Sequence, residues 1–323
     1  MGSGSTFRRT PFAEGILLHA REDRARREGL ATGAAAPMFD LWTDGIFPWL
    51  AAHAERVARD DGIRIHSHAA AVNSSMVFGF NLFLPFRIQD PAPLAALLAR
   101  ATNLDLEIER IAFEYGPTEI LAETRTDPPG SDEAWTSSDI GIEVRDSLGR
   151  RGIVLIEVKL TEDGFSRCNG RTSSGNRRPD VCSSARAFLA EPTACYLTHP
   201  LRARRDRRYW EIFTAAYGSV TSAFPGVDQS GPCPFAFDLQ QPMRNHALAL
   251  GLVQQRRFDF ARFGLVHHDD NPDVVPHWEQ YRTVVADPGM LFRVPASRVV
   301  EAGRALKADW SASGPTTSAP DTC

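Results

Sequence analysis

The chain has 323 residues, of which 43% are hydrophobic and 24% are charged, and its formal net charge at pH 7 is −4. This composition is typical of a globular protein and excludes a disordered or polycationic chain. No apolar run is long enough to cross a bilayer, so we expect no membrane association. The first residues, MGSGSTFRRTPF, contain no apolar signal-peptide core, and the five cysteines are an odd number. We therefore expect a cytoplasmic protein with reduced thiols.

The N-terminal part of the chain predicts helices. A charged segment from Glu14 ends at Gly29, which can cap a helix, and Phe39–Asp61 combines aromatic residues with a second charged helix. We expect residues 1–65 to form a helical layer on a larger domain, residues 66–310. The Ser-, Pro- and Thr-rich residues 311–323 predict a disordered tail.

Two helices and a strand are predicted next. Asn73 can cap a helix over Ser74–Leu84, although the apolar alternation there also suits a strand. Asp90 can cap a helix over Pro91–Thr102, because proline is tolerated in the first turn. Leu104–Tyr115 alternates and predicts a strand.

A hairpin is predicted between Thr136 and Leu160. The first strand begins near Asp139 and alternates apolar residues, and Ser147–Gly149 is a polar turn. The second strand, Ile153–Leu160, opens with four apolar residues, which favours a central strand buried on both faces.

Two charges interrupt this apolar strand. Glu157 and Lys159 are two residues apart, so they share one face, and burying an unpaired charge is costly. A hairpin turn centred on Leu148 or on Gly149 puts Asp139 on the same face as Glu157 and Lys159. A turn centred between Leu148 and Gly149 puts Asp139 on the opposite face, unless a bulge intervenes. A site with two carboxylates therefore predicts an odd-residue turn or a bulge. The alternative is a plain cross-strand ion pair, which would add little stability.

Asp139 followed by Glu157-Val158-Lys159 resembles the D…(D/E)-x-K signature of the PD-(D/E)XK nuclease superfamily, although Ser138 stands where a proline is usual. Three flanking blocks resemble a family of restriction-endonuclease-like proteins within it, and the resemblance covers roughly Ser74 to Asp270. These blocks are NSSMVFGFNLFLP from Asn73, IAFEY from Ile111, and QPMRN from Gln241.

The resemblance implies an α/β fold of the restriction-endonuclease type, with a mixed central sheet flanked by helices. It implies metal-dependent hydrolysis of double-stranded DNA, with a role in restriction or defence. Asp139, Glu157 and the main-chain carbonyl of Val158 would bind Mg²⁺ or Mn²⁺, the hard cations that oxygen ligands suit. Lys159 would position or activate water, and Glu114 is an additional candidate metal ligand.

Nucleic-acid contacts are expected from two places. In the resembled family, Gln241 and Arg244, on a predicted helix over Gln241–Phe260, face the site. The run RARRDRR, followed by Tyr209 and Trp210, suits phosphate contact and base stacking, although it equally suits a solvated helix face. The arginines chosen from this run are Arg204, Arg205, Arg207 and Arg208.

Four cysteines, Cys168, Cys182, Cys195 and Cys233, are a candidate metal site. None of them has the C-x-x-C spacing typical of zinc or iron–sulfur sites, so separate thiols are the preferred interpretation.

Four further elements are predicted towards the C-terminus. They are a strand over Arg262–His268, a helix over Trp278–Ala286, a strand over Met290–Val294 and a helix over Ser297–Trp310.

Two other functions stay open. The fold could serve as a catalytically silent module that binds nucleic acid or protein, or the substrate could be RNA. A homodimer would suit the cutting of both strands, and a partner subunit is equally compatible with the sequence.

Overall fold

The structure is a computed structural model, and it describes residues 10–31, 36–123, 135–198 and 206–306. The predicted disordered tail lies outside these residues. The helices are α1 Pro11–Glu28, α2 Pro48–Asp60, α3 Ser75–Ile88, α4 Ala92–Thr102, α5 Pro179–Ser183, α6 Ala185–Ala190, α7 Tyr209–Tyr217, α8 Val220–Ala223, α9 Gln240–Gln254, α10 Val274–Val284 and α11 Ala296–Gly303. None of the helices within the described ranges is long and apolar enough to cross a membrane.

One five-stranded sheet organises the chain, with strands in the order β1-β2-β3-β4-β5. The strands are β1 Leu106–Tyr115, β2 Ser138–Asp146, β3 Arg151–Lys159, β4 Phe260–His267 and β5 Leu291–Pro295. The first three pair antiparallel, and β4 and β5 continue in parallel from β3. The predicted fold class, a mixed central sheet flanked by helices, is confirmed.

The register of the β2–β3 hairpin is symmetric about Leu148, because Ile140 pairs with Ile156 and Arg145 pairs with Arg151. The predicted odd-residue turn is therefore confirmed. The carboxylate of Asp146 holds the turn by accepting the backbone N–H of Leu148 at 3.0 Å. Gly149 adopts a φ of 77°, a left-handed conformation that glycine tolerates.

A β-bulge interrupts the pairing of β1 with β2. The register shifts by one residue between Ile108 and Arg110, so Glu109 is an extra residue in β1. Beyond the bulge, Tyr115 pairs with Ser138.

Two hydrophobic cores cover the two faces of the sheet, and β3 contributes to both. Ile153 and Leu155 belong to the first core, which contains buried residues of α7, α9 and α10. Val154, Ile156 and Val158 belong to the second core, which contains residues of α2, α3, α4 and α11. All five side chains are fully buried, which confirms that β3 is a central strand.

Most predicted helices are present, with corrected ends. The segment predicted as Ser74–Leu84 forms a helix rather than a strand, and Ser74 caps this helix instead of Asn73. The Ser74 hydroxyl accepts the backbone N–H of Val77 at 3.3 Å, whereas Asn73 donates to the hydroxyl of Thr161 at 2.9 Å. Asp90 accepts the backbone N–H of Ala92, as expected of a cap.

The C-terminal elements also differ at their ends. Helix α9 stops at Gln254 rather than at Phe260, because Phe260 already pairs with Gly152 as the first residue of β4. Helix α10 begins at Val274, four residues before the predicted start. Helix α11 ends at Gly303, before the predicted end at Trp310, which lies outside the described residues. The division into a helical layer and a larger domain stays a prediction.

Candidate active site

Three carboxylates lie side by side across three neighbouring strands. Continuing the hairpin register by one residue places Asp139 of β2 opposite Glu157 of β3. On the other side of β2, the pairing beyond the bulge places Glu114 of β1 opposite Asp139. Lys159 follows on the same face of β3 as Glu157. The structure therefore brings together four of the residues predicted from the sequence.

Glu157 is the most contacted of these carboxylates and is only 2% exposed. Its Oε1 lies 3.0 Å from the Lys159 ammonium and accepts the Gln241 amide Nε2 at 2.6 Å. Its Oε2 accepts the Asn245 amide Nδ2 at 2.8 Å. Lys159 also donates to the Gln241 Oε1 at 3.1 Å. Gln241 and Asn245 are four residues apart on α9, so one helix face supplies both amides.

Asp139 lies between the other two carboxylates. Its Oδ2 accepts the backbone N–H of Val158 at 2.6 Å, which ties β2 to β3 at the site. Burial raises the pKa of Asp139 well above its ordinary value, and the neighbouring charges of Glu157 and Glu114 raise it further.

Glu114 occupies a strained position. Its φ is 50°, in the left-handed region that non-glycine residues rarely adopt, and this conformation costs about 1–2 kcal/mol. Burial is the main reason that its pKa rises to about 7; a hydrogen bond from the Ser137 hydroxyl at 3.1 Å lowers that pKa and the charge of Glu157 raises it. Strain and a perturbed carboxyl together are typical of functional sites.

Lys159 keeps its proton in this environment. Burial disfavours the charged form, but the carboxylates of Glu157, Glu162 and Asp139 outweigh burial and raise the pKa of Lys159. The side chain is therefore an ammonium ion, which can hold a water molecule or stabilise developing negative charge.

Arg244 belongs to a buried network beside the carboxylates. Its Nε donates to the Thr136 hydroxyl at 2.9 Å, and its guanidinium lies 3.5 Å from the Glu123 carboxylate. Glu123 also accepts the backbone N–H of Thr136 at 2.6 Å and the hydroxyl of Tyr209. This network fixes the segment that leads into β2, so Arg244 connects α9 to the start of the strand that carries Asp139.

The arginine-rich segment only partly matches its predicted role. Tyr209 and Trp210 are buried in the first core, so the prediction that they stack on bases is wrong. Arg207 is only 7% exposed, whereas Arg208 lies near the surface and pairs with Glu211 at 2.6 Å. Arg204 and Arg205 lie outside the described residues.

The carboxylate oxygens are ligands of the type that a divalent cation prefers, but they are not yet arranged around one position. Asp139, Glu157 and Glu114 offer hard oxygen atoms, and their mutual repulsion is what a cation would relieve. However, no group of three or more His, Cys, Asp or Glu side chains within the described ranges is already placed to hold a metal ion. Because both oxygens of Glu157 accept protein hydrogen bonds, a metal would have to share or replace these contacts.

Sequence reasoning did not find Asn245 or the Glu123–Thr136 pair. Asn245 had a usable signal, since it is one helical turn after Gln241 on the same predicted helix. Glu123 and Thr136 had none, because their contact depends on the tertiary arrangement of two separate segments.

The mixed sheet, the flanking helices and the strand-borne carboxylates define a protein of the restriction-endonuclease-like class. A comparison with family models agrees, because the model described as "Restriction Endonuclease associating with ARP" matches residues 31–300. The chain belongs to this family. None of the curated proteins and none of the solved structures compared with the chain matches it.

Proposed function

We propose that this protein is a metal-dependent nuclease that hydrolyses phosphodiester bonds in double-stranded DNA. The observation that carries the proposal is the buried Glu157–Lys159 pair, contacted by two amides of α9 and set beside Asp139. A buried ion pair is weak support for stability, because desolvation offsets most of its attraction. A catalytic role gives a reason to keep both charges.

Each residue has a defined task in this proposal. Asp139 and Glu157 would bind Mg²⁺ or Mn²⁺, with the Val158 carbonyl and Glu114 as further ligands. Held by these residues, a divalent cation would lower the pKa of a water ligand and offset charge on the phosphate. The Lys159 ammonium orients the attacking water and stabilises charge on the phosphate oxygens, rather than acting as a base.

Gln241 and Asn245 position the reacting pair. Gln241 donates to Glu157 and accepts from Lys159, so it holds the carboxylate and the ammonium at a fixed separation. Substrate contacts by Arg244, Arg204, Arg205, Arg207 and Arg208 belong to the same proposal, and Arg208 is more exposed than Arg207 and Arg244. The proposal also covers the cellular setting and the partners of the protein. It would be a cytoplasmic enzyme of restriction or defence that acts as a homodimer or with the partner that the family description mentions.

Cleavage of plasmid and linear duplex DNA with Mg²⁺, Mn²⁺ or EDTA tests this function. We expect metal-dependent cleavage by the wild type, and a loss of about 100-fold or more in Glu157→Ala and in Lys159→Ala. Glu301→Ala is the matched control, because Glu301 forms an exposed ion pair with Arg298 at 2.7 Å, outside the carboxylate row.

Circular dichroism of each variant checks that the fold is kept. Cleavage that is retained in Glu157→Ala would place the reaction elsewhere. If the wild type cuts neither duplex DNA nor single-stranded DNA nor RNA with any metal, a binding function without catalysis replaces the nuclease.

A further inference from the structure

The loop that follows β3 returns to the carboxylate row through Ser166. The Oε1 atom of Gln241, which accepts the Lys159 ammonium at 3.1 Å, also accepts the backbone N–H of Ser166 at 3.3 Å. Lys159 is buried, with its ammonium 5.7 Å from the ring centre of Phe165, whereas Ser166 is exposed. Ser166 therefore marks a side on which solvent comes close to the buried ion pair of Lys159 with Glu157.

Two arginines of the same loop lie against the short segment that leads into α9. The guanidinium of Arg167 lies 3.7 Å from the carboxylate of Asp238. The guanidinium of Arg171 lies over the ring of Phe237, 4.3 Å from its centre. Phe237 and Asp238 are adjacent, and Gln241 comes three residues after Asp238. Both cations are thus held close to the end of α9 that contacts the buried ion pair.

The positive charges of these arginines are weakly compensated. The Arg167 side chain is 71% exposed, and its distance from Asp238 is too long for a hydrogen bond, so this surface ion pair contributes little. Arg171 is also exposed, and within the described ranges no hydrogen bond or ion pair engages its guanidinium. Stacking on a ring uses the flat face of a guanidinium, so the N–H groups of Arg171 stay available to an anion.

The turn that carries Arg171 is held in place by its neighbours. The carbonyl of Gly170 accepts the amide Nδ2 of Asn176 at 2.7 Å. A Cβ at Gly170 would lie only 2.8 Å from the Cβ of Tyr196, so the backbone packs closely at this point. An arginine placed by a fixed turn and a stacked ring loses less freedom on binding than a mobile one does. A side chain that serves only solubility needs neither constraint.

We propose that Arg167 and Arg171 bind backbone phosphates of double-stranded DNA beside the bond that is cut. Guanidinium groups bind phosphate oxygens through paired N–H donors, and phosphate contacts position the DNA without reading its sequence. The bound strand passes from Lys159 across Ser166 to the two arginines. This phosphate-binding site rests on the proposed nuclease function, which defines the bond that is cut, but its contacts need neither metal nor cleavage.

Binding of a fluorescent DNA duplex in EDTA, measured by anisotropy over a range of salt concentrations, tests this site. We expect Arg167→Gln and Arg171→Gln each to weaken binding about 3–10-fold at about 0.1 M salt. Each should also reduce the slope of log K against log salt by about 1, because one phosphate contact is lost. The loss should be equal for duplexes of different sequence. In cleavage assays, both variants should raise KM rather than lower kcat.

Two further variants separate this site from a general effect of charge. Arg256→Gln is the matched control, because Arg256 is an exposed arginine just beyond the opposite end of α9, and it should bind DNA as the wild type does. Asp238→Asn should tighten binding, because it removes the carboxylate that competes with phosphate for Arg167. Circular dichroism checks that each variant keeps its fold.

Wild-type affinity and salt slope in both Arg167→Gln and Arg171→Gln would overturn the phosphate-binding site, whether or not the protein cleaves DNA. A wild-type protein that binds no duplex in EDTA would overturn it as well. If both variants lose affinity as expected while the wild type cleaves nothing with any metal, the phosphate-binding site stands and the nuclease function fails.

Discussion

Glu157 forms an ion pair with Lys159 and accepts hydrogen bonds from the side-chain amides of Gln241 and Asn245. The carboxylate fixes the orientation of both amides. A carboxylate only accepts, so the Asn245 amide must direct its nitrogen towards Glu157. The Asn245 oxygen is then a buried acceptor without a partner among the described residues. The protein tolerates this cost in the face of α9 that contacts the buried carboxylate through both Gln241 and Asn245.

Replacing Asn245 should therefore impair the reaction more than the fold. In Asn245→Ala, the Glu157 Oε2 loses its donor, and we expect cleavage to fall by about 10–100-fold, the range seen when groups that orient metal ligands are removed. Cleavage kinetics measure the effect, and the exposed Gln255→Ala on the end of the same helix is the control. An unchanged rate in Asn245→Ala would mean that Gln241 alone orients Glu157.

The pKa of Glu114, about 7, makes stability depend on pH. The folded-state pKa lies above the ordinary value, so the folded protein holds this proton more tightly than the unfolded chain does. The contribution of Glu114 to stability is therefore complete below its ordinary pKa of 4.5 and is lost as the pH rises to about 7. The raised pKa of Asp139 acts in the same direction.

Thermal unfolding of the metal-free protein between pH 5 and pH 8 tests this dependence. We expect a loss on the order of 2 kcal/mol across the range, reduced in Glu114→Gln and offset by Mg²⁺ or Mn²⁺ at the alkaline end. Glu107→Gln, an exposed glutamate of the same strand, should keep the wild-type dependence. An equal pH dependence in Glu114→Gln would assign the proton to another group.

At the scale of single elements, periodicity predicted the strands and the three residues that they bring together. Asp139, Glu157 and Lys159 share a face because strand geometry alternates strictly, and the turn fixes the parity. The end of α9 could not be predicted, because pairing of Phe260 with β3, rather than helix propensity, decides where the helix stops. The contact of Glu123 with Thr136 joins segments whose proximity only the fold creates.

Two helical glycines should respond in opposite ways to alanine. A Cβ at Gly251 of α9 would lie 2.5 Å from the Ile120 side chain, whereas a Cβ at Gly15 of α1 would meet no atom within 4 Å. We expect Gly15→Ala to stabilise the protein by about 0.5–1 kcal/mol and Gly251→Ala to destabilise it by about 1–3 kcal/mol. Chemical denaturation measures both, and stabilisation by Gly251→Ala would show that α9 can move away from Ile120.

At the scale of the whole molecule, β3 connects the two cores. Its odd-numbered apolar residues pack in the first core and its even-numbered ones in the second. If β3 detached from one core, its residues in the other core would also be exposed. The two halves of the described structure should therefore unfold together. Sequence reasoning identified β3 as central because four consecutive apolar residues have no solvent-facing side.

Substitutions on opposite faces of β3 test this coupling. Leu155→Ala and Val154→Ala should each lower stability by about 2–4 kcal/mol, with the same denaturation midpoint by far-UV circular dichroism and by tryptophan fluorescence. Trp210 and Trp278 report on the first core, and Trp42 packs against the second. Two separated transitions in either variant would show that the cores unfold independently.

The bulge at Glu109 makes β1 tolerant of a change in length. Before the bulge the inward residues are Leu106 and Ile108, and after it they are Ile111 and Phe113, so skipping Glu109 leaves an unbroken alternation. Glu109 itself is exposed and pairs with Arg145 at 2.6 Å, an interaction that contributes little at a surface. Glu109 is thus not needed for the pairing of β1 with β2. We expect a chain from which Glu109 is deleted to keep Glu114 opposite Asp139.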